Sequence, residues 1–252
     1  MRYAVTEINE LLYSVSRHLP NIEECILSRI DFTANVVLSS GKQVRDAISI
    51  INRSFTRSDY KLKTIRKWNR PTYIPEEATF TKPDYVQISI YDKNHQLNQN
   101  RGYNENIPEL FPPTLRCEIR CFKKYISALV KKFGIDSIRD FFDNSTRISE
   151  YVFRHQLRKL DLDTDHVRLP EAYAAVDQTK WKNKTKMIVS ACMRDAAEHK
   201  RLCVISDKLM LNKVIARMRS IGLSPMPLPH NSSLPSGFNL LSLVMQASAN
   251  PD

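Results

Sequence analysis

Three segments of the chain alternate apolar and polar residues with a period of two. In Arg29-Ile30-Asp31-Phe32-Thr33-Ala34-Asn35-Val36, one face carries Arg29, Asp31, Thr33 and Asn35 and the other is apolar. In Val86 to Lys93 the polar face carries Gln87, Ser89, Tyr91 and Lys93. In Leu115 to Cys121 it carries Arg116, Glu118 and Arg120, against Leu115, Cys117, Ile119 and Cys121. This alternation predicts half-buried antiparallel strands, the first over about residues 26–37. Helical spacing predicts helices over 5–17, 42–55 and 123–133, the last stopped by Gly134. Further helices are expected from Asn144 or Ser145 to Leu160, from Thr185 to Lys200, and from a Ser206 cap to Gly222. Residues 98–113, rich in Asn and Pro, read as a long loop, and the tail after Ala247 as loose. Strands and helices in this order make an α+β plan.

Charge changes the picture. The 252 residues carry 38 Lys+Arg against 27 Asp+Glu, a net charge of +11. Such a surplus favours a polyanionic partner, most often nucleic acid, over the alternative of a merely solvated basic surface. The cations cluster in 53–70, where Arg53, Arg57, Lys61, Lys63, Arg66, Lys67 and Arg70 face one acid, Asp59, with Tyr60 and Trp68 interleaved. Aromatics among cations suit single-stranded DNA, because bases stack on rings while phosphates meet charges. The competing reading is a solvated loop with Trp68 tucked into the core.

The five cysteines, Cys25, Cys117, Cys121, Cys192 and Cys203, are scattered and form no CxxC pair. With no signal peptide and no long apolar run, they read as reduced thiols of a cytoplasmic protein, and no membrane partner is expected.

The polar strand faces carry the candidate chemistry. Asp31 and Glu118 on facing strands could share one divalent cation, Mg or Mn, through hard oxygen ligands. The alternative is an ion-pair ladder with Arg29, Arg116 and Arg120. Tyr91 beside Lys93 could attack phosphorus if a base takes its proton and a cation meets the developing charge. Tyr125 opens a helix among Lys123, Lys124, Lys131 and Lys132 and is a second nucleophile candidate. Asp92 breaks the alternation and is expected to cap a turn or to sit at a bulge. There is no HxH pair and no phosphate-binding GxxxxGK[ST] loop. Asp161 to Asp165 resembles a calcium loop, but His166 and Ala172 stand where Gly and Glu are needed, so these acids read as a solvated loop.

Arg29-Ile30-Asp31-Phe32, Ile90-Tyr91-Asp92-Lys93 and Leu115-Arg116-Cys117-Glu118-Ile119-Arg120, in that order, resemble the core of phage and plasmid replication initiation proteins of the rolling-circle type. The likeness is to Firmicute-type members, and Ile221 to Pro225 followed by Leu228-Pro229 resembles the end of that group. It covers residues 26–133 and more loosely the helical remainder.

The resemblance implies an antiparallel sheet of the replication-initiator type over 1–133 and a mainly helical region over 134–252. It implies an endonuclease that nicks one strand at an origin and stays attached through a phosphotyrosine, with a divalent metal; a host helicase is the further partner to look for beside the DNA. Asp31 and Glu118 would be metal or acid–base residues. Tyr91 and Lys93 would belong to the nicking site, with Tyr125 the other tyrosine candidate. From the charge pattern rather than the resemblance, Arg29, Arg116, Arg120 and the 53–70 residues Arg57, Lys61, Lys63, Arg66, Lys67, Trp68 and Arg70 are expected to bind DNA. The runner-up is a non-catalytic DNA-binding or regulatory protein on the same sheet. A protein-interaction module with incidental basicity is the third class.

Overall fold

The alternating segments do form strands, and they lie side by side. The computed structural model describes residues 2–18, 20–54, 61–64, 77–100, 112–199 and 208–249. Strands β1 (Arg29–Val37), β2 (Lys61–Thr64), β3 (Glu77–Lys82), β4 (Val86–Asp92) and β5 (Thr114–Phe122) build one sheet in the order β1-β5-β4-β3-β2. Every neighbouring pair is antiparallel. The last strand in sequence is thus internal and carries the first on its outer side. With the helices, the fold is α+β.

One sheet face is dry. Phe32, Ala34 and Val36 of β1, Cys117, Ile119 and Cys121 of β5, and Val86, Ile88 and Ile90 of β4 are all buried. α2 (Gly41–Ser54) covers β3, β4 and β5 on this side with Val44, Ala47, Ile48 and Ile51, which recur at helical spacing. α4 (Lys123–Phe133) leaves β5 directly and packs back on β5 and β1. Its end is fixed by Gly134, a left-handed C-cap at φ 63° that a glycine adopts without strain.

The core continues past residue 133. Ile148, Val152, Phe153 and Leu157 of α6 (Ser145–Lys159) and Leu240, Leu241 and Val244 of α10 (Leu240–Ala249) join the sheet residues in one apolar cluster. α10 packs on both α6 and β1, so residues 248 and 249 belong to a docked helix rather than to a loose tail after Ala247. A second cluster holds α7 (Leu169–Asp177), α8 (Asn183–His199) and α9 (Lys208–Arg219) together through Val176, Met193, Val214 and Met218. The expected Ser206 cap and Cys203 lie outside the described residues. The stretch between α9 and α10, with Pro225, Pro227, Pro229 and Pro235, is pinned by single bridges, Asp165 to Leu223, His166 to Phe238 and Arg168 to Leu228. Burial pushes the His166 imidazole down to about 4, and its Nδ1 lies 2.9 Å from the Met226 carbonyl, so it is a structural histidine.

Three further α-helices lie among the described residues. α1 (Arg2–Val15) precedes the sheet, α3 (Lys93–Asn100) follows β4, and α5 (Ile138–Asp143) is capped by Ser137 Oγ, which accepts from the Asp140 N–H. The acids of 161–165 are not a solvated loop. Arg219 binds Asp161 and lies 3.2 Å from Asp163, and Asn239 donates to Asp165 at 2.8 Å. Among the described residues no helix is long and apolar enough to cross a membrane.

Candidate functional site

The strand register places the polar side chains in three rows across the second face. One row runs Asn35, Arg116, Tyr91, Glu77; the next Thr33, Glu118, Ser89, Thr79; the third Asp31, Arg120, Gln87, Thr81. β2 extends two rows, with Lys63 at the register position opposite Thr79 and Lys61 opposite Thr81. Exposure falls from β1 inward. The β1 residues are open to solvent, the β5 residues are half-buried, and Ser89 and Tyr91 on β4 are buried.

Tyr91 and Glu118 occupy diagonal positions on β4 and β5. The Tyr91 hydroxyl donates to Glu118 Oε1 at 2.6 Å, within the range of a charge-assisted hydrogen bond. Arg116 Nη1 lies 3.7 Å from the same oxygen, and its Nε donates to Asn35 Oδ1 at 2.8 Å, which fixes the guanidinium plane. Burial, then the bond to Glu118, pushes the Tyr91 phenol up to about 12, with Arg116 opposing. The proton therefore rests on the tyrosine.

Lys93 is not on the strand. It is the first residue of α3, whose backbone start is capped by Asp92: Oδ1 accepts from the N–H of Asn94 at 3.0 Å and of His95 at 3.2 Å. The helix turn still brings Lys93 to the polar face, close enough that Arg116 and Glu118 both act on its ammonium. Burial, then Arg116, lowers its pKa. Tyr91, Glu118, Arg116 and Lys93 thus form one cluster.

Asp31 belongs to a separate clamp. Arg29 donates to both its oxygens, at 2.9 and 2.6 Å, and Arg120 Nε donates at 3.1 Å. The Arg29 bond, then Arg120, holds the Asp31 carboxyl below the usual carboxylate range against the opposing effect of burial. Asp31 and Glu118 are diagonal across β1 and β5, so both acids share the face, but both Asp31 oxygens are met by guanidiniums and Glu118 Oε1 by the Tyr91 phenol. No group of three or more His, Cys, Asp or Glu that could hold a metal occurs among the described residues. As arranged, Asp31 and Glu118 do not fit a divalent cation: an Mg or Mn ion would have to displace guanidiniums from Asp31 and a phenol proton from Glu118. The arrangement is the ion-pair ladder that the same residues also predict.

Tyr125 is a correction. It lies on the dry side of the sheet, 2% exposed, its ring 4.7 Å from that of Tyr85, with Gln156 as its polar neighbour. Burial raises its phenol strongly. The four lysines named beside it in sequence are exposed on the same helix, Lys123 nearly opposite Tyr125 and Lys124 and Lys131 on its flanks, while Lys132, two turns on, clears the core at the helix end.

The basic run is only partly in view. Arg57, Arg66, Lys67, Trp68 and Arg70 lie outside the described residues, and Lys61 and Lys63 are placed by backbone register alone. Arg53 lies half-buried in the last turn of α2, its guanidinium pKa lowered by burial. Residues that the sequence did not single out for chemistry include Glu77, which accepts from Thr79, and Thr79 itself, 3.3 Å from Ser89. The turn signal Lys82-Pro83-Asp84 could have revealed that hairpin; Asp84 takes the left-handed conformation at φ 56°.

In comparisons with family models, curated proteins and solved structures, none matches the chain.

Proposed function

We propose that the protein is a DNA-binding replication initiator that nicks a single strand laid across the polar sheet face. Tyr91 is the nucleophile and Glu118 its base. The observation that carries the reading is the 2.6 Å hydrogen bond from the Tyr91 hydroxyl to Glu118, with a third group, Arg116, orienting the carboxylate. As the phenol oxygen bonds to phosphorus, its proton passes to Glu118. The bond from phosphorus to the sugar 3′ oxygen breaks, and that oxygen becomes a hydroxyl by taking a proton from water. Arg116 and Lys93 meet the charge on the phosphoryl oxygens. The phosphodiester energy is kept in the tyrosine link, and a polymerase can extend the 3′ hydroxyl. None of these steps uses a metal or a helicase partner.

The second reading is a DNA-binding protein without catalysis. It is favoured by the exposure of Tyr91, only 9%, and by the guanidiniums that neutralise Asp31. The two separate on one gel. Supercoiled DNA incubated with the protein, with chelator or with Mg²⁺ or Mn²⁺, yields nicked circles and an SDS-resistant protein–DNA adduct under the first reading. Salt-sensitive binding with no adduct under any condition leaves the second.

A further inference from the structure

We infer that the helical layer carries a second polyanion surface, on α4 and α6, that fits the phosphate backbone of duplex nucleic acid. It extends the DNA-binding reading but uses none of the sheet-face residues.

α4 carries Lys123, Lys124, Lys131 and Lys132 and no acid. On α6, Arg147, Tyr151, Arg154, His155 and Arg158 recur at helical spacing on one stripe, opposite the buried Ile148, Val152, Phe153 and Leu157. Glu150, the helix's one acid, lies at the margin of that stripe. From Arg147 to Arg158 the stripe is about 16 Å long. Duplex DNA presents one charge per about 1.7 Å of axis, so several phosphates face such a length. The two helices meet where Phe133 packs edge-on against Tyr151, centroids 5.5 Å apart. Lys131, Lys132, Arg147 and Arg154 are exposed, and none makes an ion pair with an acid among the described residues. Arg158 differs, with Asp163 at 3.5 Å.

The aromatic rings decide between duplex and single strand. Single strands need open ring faces for bases to stack on. Here Lys132 Nζ sits 4.6 Å from the Tyr151 centroid, His155 stacks on Tyr151 at 5.1 Å and 14°, and Arg147 lies 5.3 Å over Phe133. The ring faces are already taken, and what remains to a ligand is a row of cations on a rigid helix pair. That is a surface for backbone phosphates, read without sequence.

The experiment uses the full chain and two fluorescent probes, a short blunt duplex and a single strand of the same length. Combined Lys131→Glu, Lys132→Glu, Arg147→Glu and Arg154→Glu should weaken the duplex by about tenfold or more, and the salt dependence should flatten by about 0.9 for each phosphate that is no longer neutralised. The single strand should change by less than about threefold. A second set with Gln at the four positions serves if the reversals do not fold, and Lys/Arg exchanges should restore binding. An unchanged duplex affinity, or equal weakening on both probes, overturns the inference. Arg29→Gln with Arg120→Gln should give the opposite pattern; if it fails while the helix set behaves as stated, the sheet-face reading falls and this one stands.

Discussion

Tyr91 and Glu118 sit on neighbouring strands, offset diagonally, and the phenol donates to the carboxylate across 2.6 Å. The offset follows from the register that sets Tyr91 opposite Arg116 and Ser89 opposite Glu118. A carboxylate on β5 thereby reaches a phenol on the next strand while its own arginine holds it from the side. Tyr91→Phe removes the nucleophile and should abolish the covalent adduct while leaving DNA affinity in place. Glu118→Gln keeps the shape but not the base, and should slow adduct formation by about 10²–10⁴-fold. Either change should cost about 1–2 kcal/mol in urea unfolding, since one partner of a charge-assisted bond is removed. An adduct that persists in Tyr91→Phe would move the nucleophile elsewhere.

The same pair sets an alkaline limit. Burial and Glu118 raise the Tyr91 phenol from 10.0 to about 12, so the folded state favours the protonated form. The stability this provides is fully present below pH 10 and is lost as pH rises from 10 towards 12. Unfolding midpoints measured across that window should fall in the wild type and fall less in Tyr91→Phe. Absorbance of ionised tyrosine in the near ultraviolet should show one late-titrating phenol that the variant lacks.

Much of this face was legible in the sequence, because period-two alternation assigns a side to every residue once a strand is granted. Asp31, Tyr91, Glu118 and the three arginines fell on one face for that reason alone. What alternation cannot encode is pairing order. That β5 lies between β1 and β4, and so gives Glu118 to Tyr91 and Arg120 to Asp31, is a tertiary fact. Lys93 looked like a strand residue because the period runs one step too far; the Asp92 cap turns the chain into a helix there. Tyr125 looked catalytic because its sequence neighbours are lysines, but in a helix adjacent residues point about 100° apart, and the tyrosine took the buried side. β3 was missed because Ala78, Thr79 and Phe80 are buried in succession and Ala and Thr give little apolar–polar contrast, and α10 because its nearly unbroken apolar run has no period to read.

Asp31 tests whether its carboxylate is a ligand or a clamp. Its two arginine partners are partly exposed, so Asp31→Asn should change stability by no more than about 1 kcal/mol. Its carboxyl is held below the usual range in the folded protein, so its contribution is present above the ordinary carboxylate pKa and lost as pH falls through the folded value. Asp31→Asn should flatten that acid limb. Removing the negative charge also frees Arg29 and Arg120 for phosphate, so single-strand affinity should rise a few-fold in filter binding. Loss of a metal-stimulated activity in the same variant, with affinity unchanged, would return Asp31 to the role of a metal ligand.

The dry side of the sheet makes the complementary case. Tyr125→Phe removes only a hydroxyl from a core position that the nicking reading does not use. Adduct formation should therefore match the wild type, and stability should stay within about 1 kcal/mol, since a buried phenol replaced by an isosteric ring loses no packing. Phe153 of α6 has no solvent exposure and packs in the same core, so Phe153→Ala should cost about 3–5 kcal/mol through lost transfer energy and the cavity left behind. Because α6 and the sheet share that core, the loss should appear as one cooperative transition by far-UV circular dichroism and by tyrosine fluorescence together. Two separated transitions would mean that the helices after residue 133 unfold independently of the sheet, and the shared core would then contribute little to holding the polar face in register.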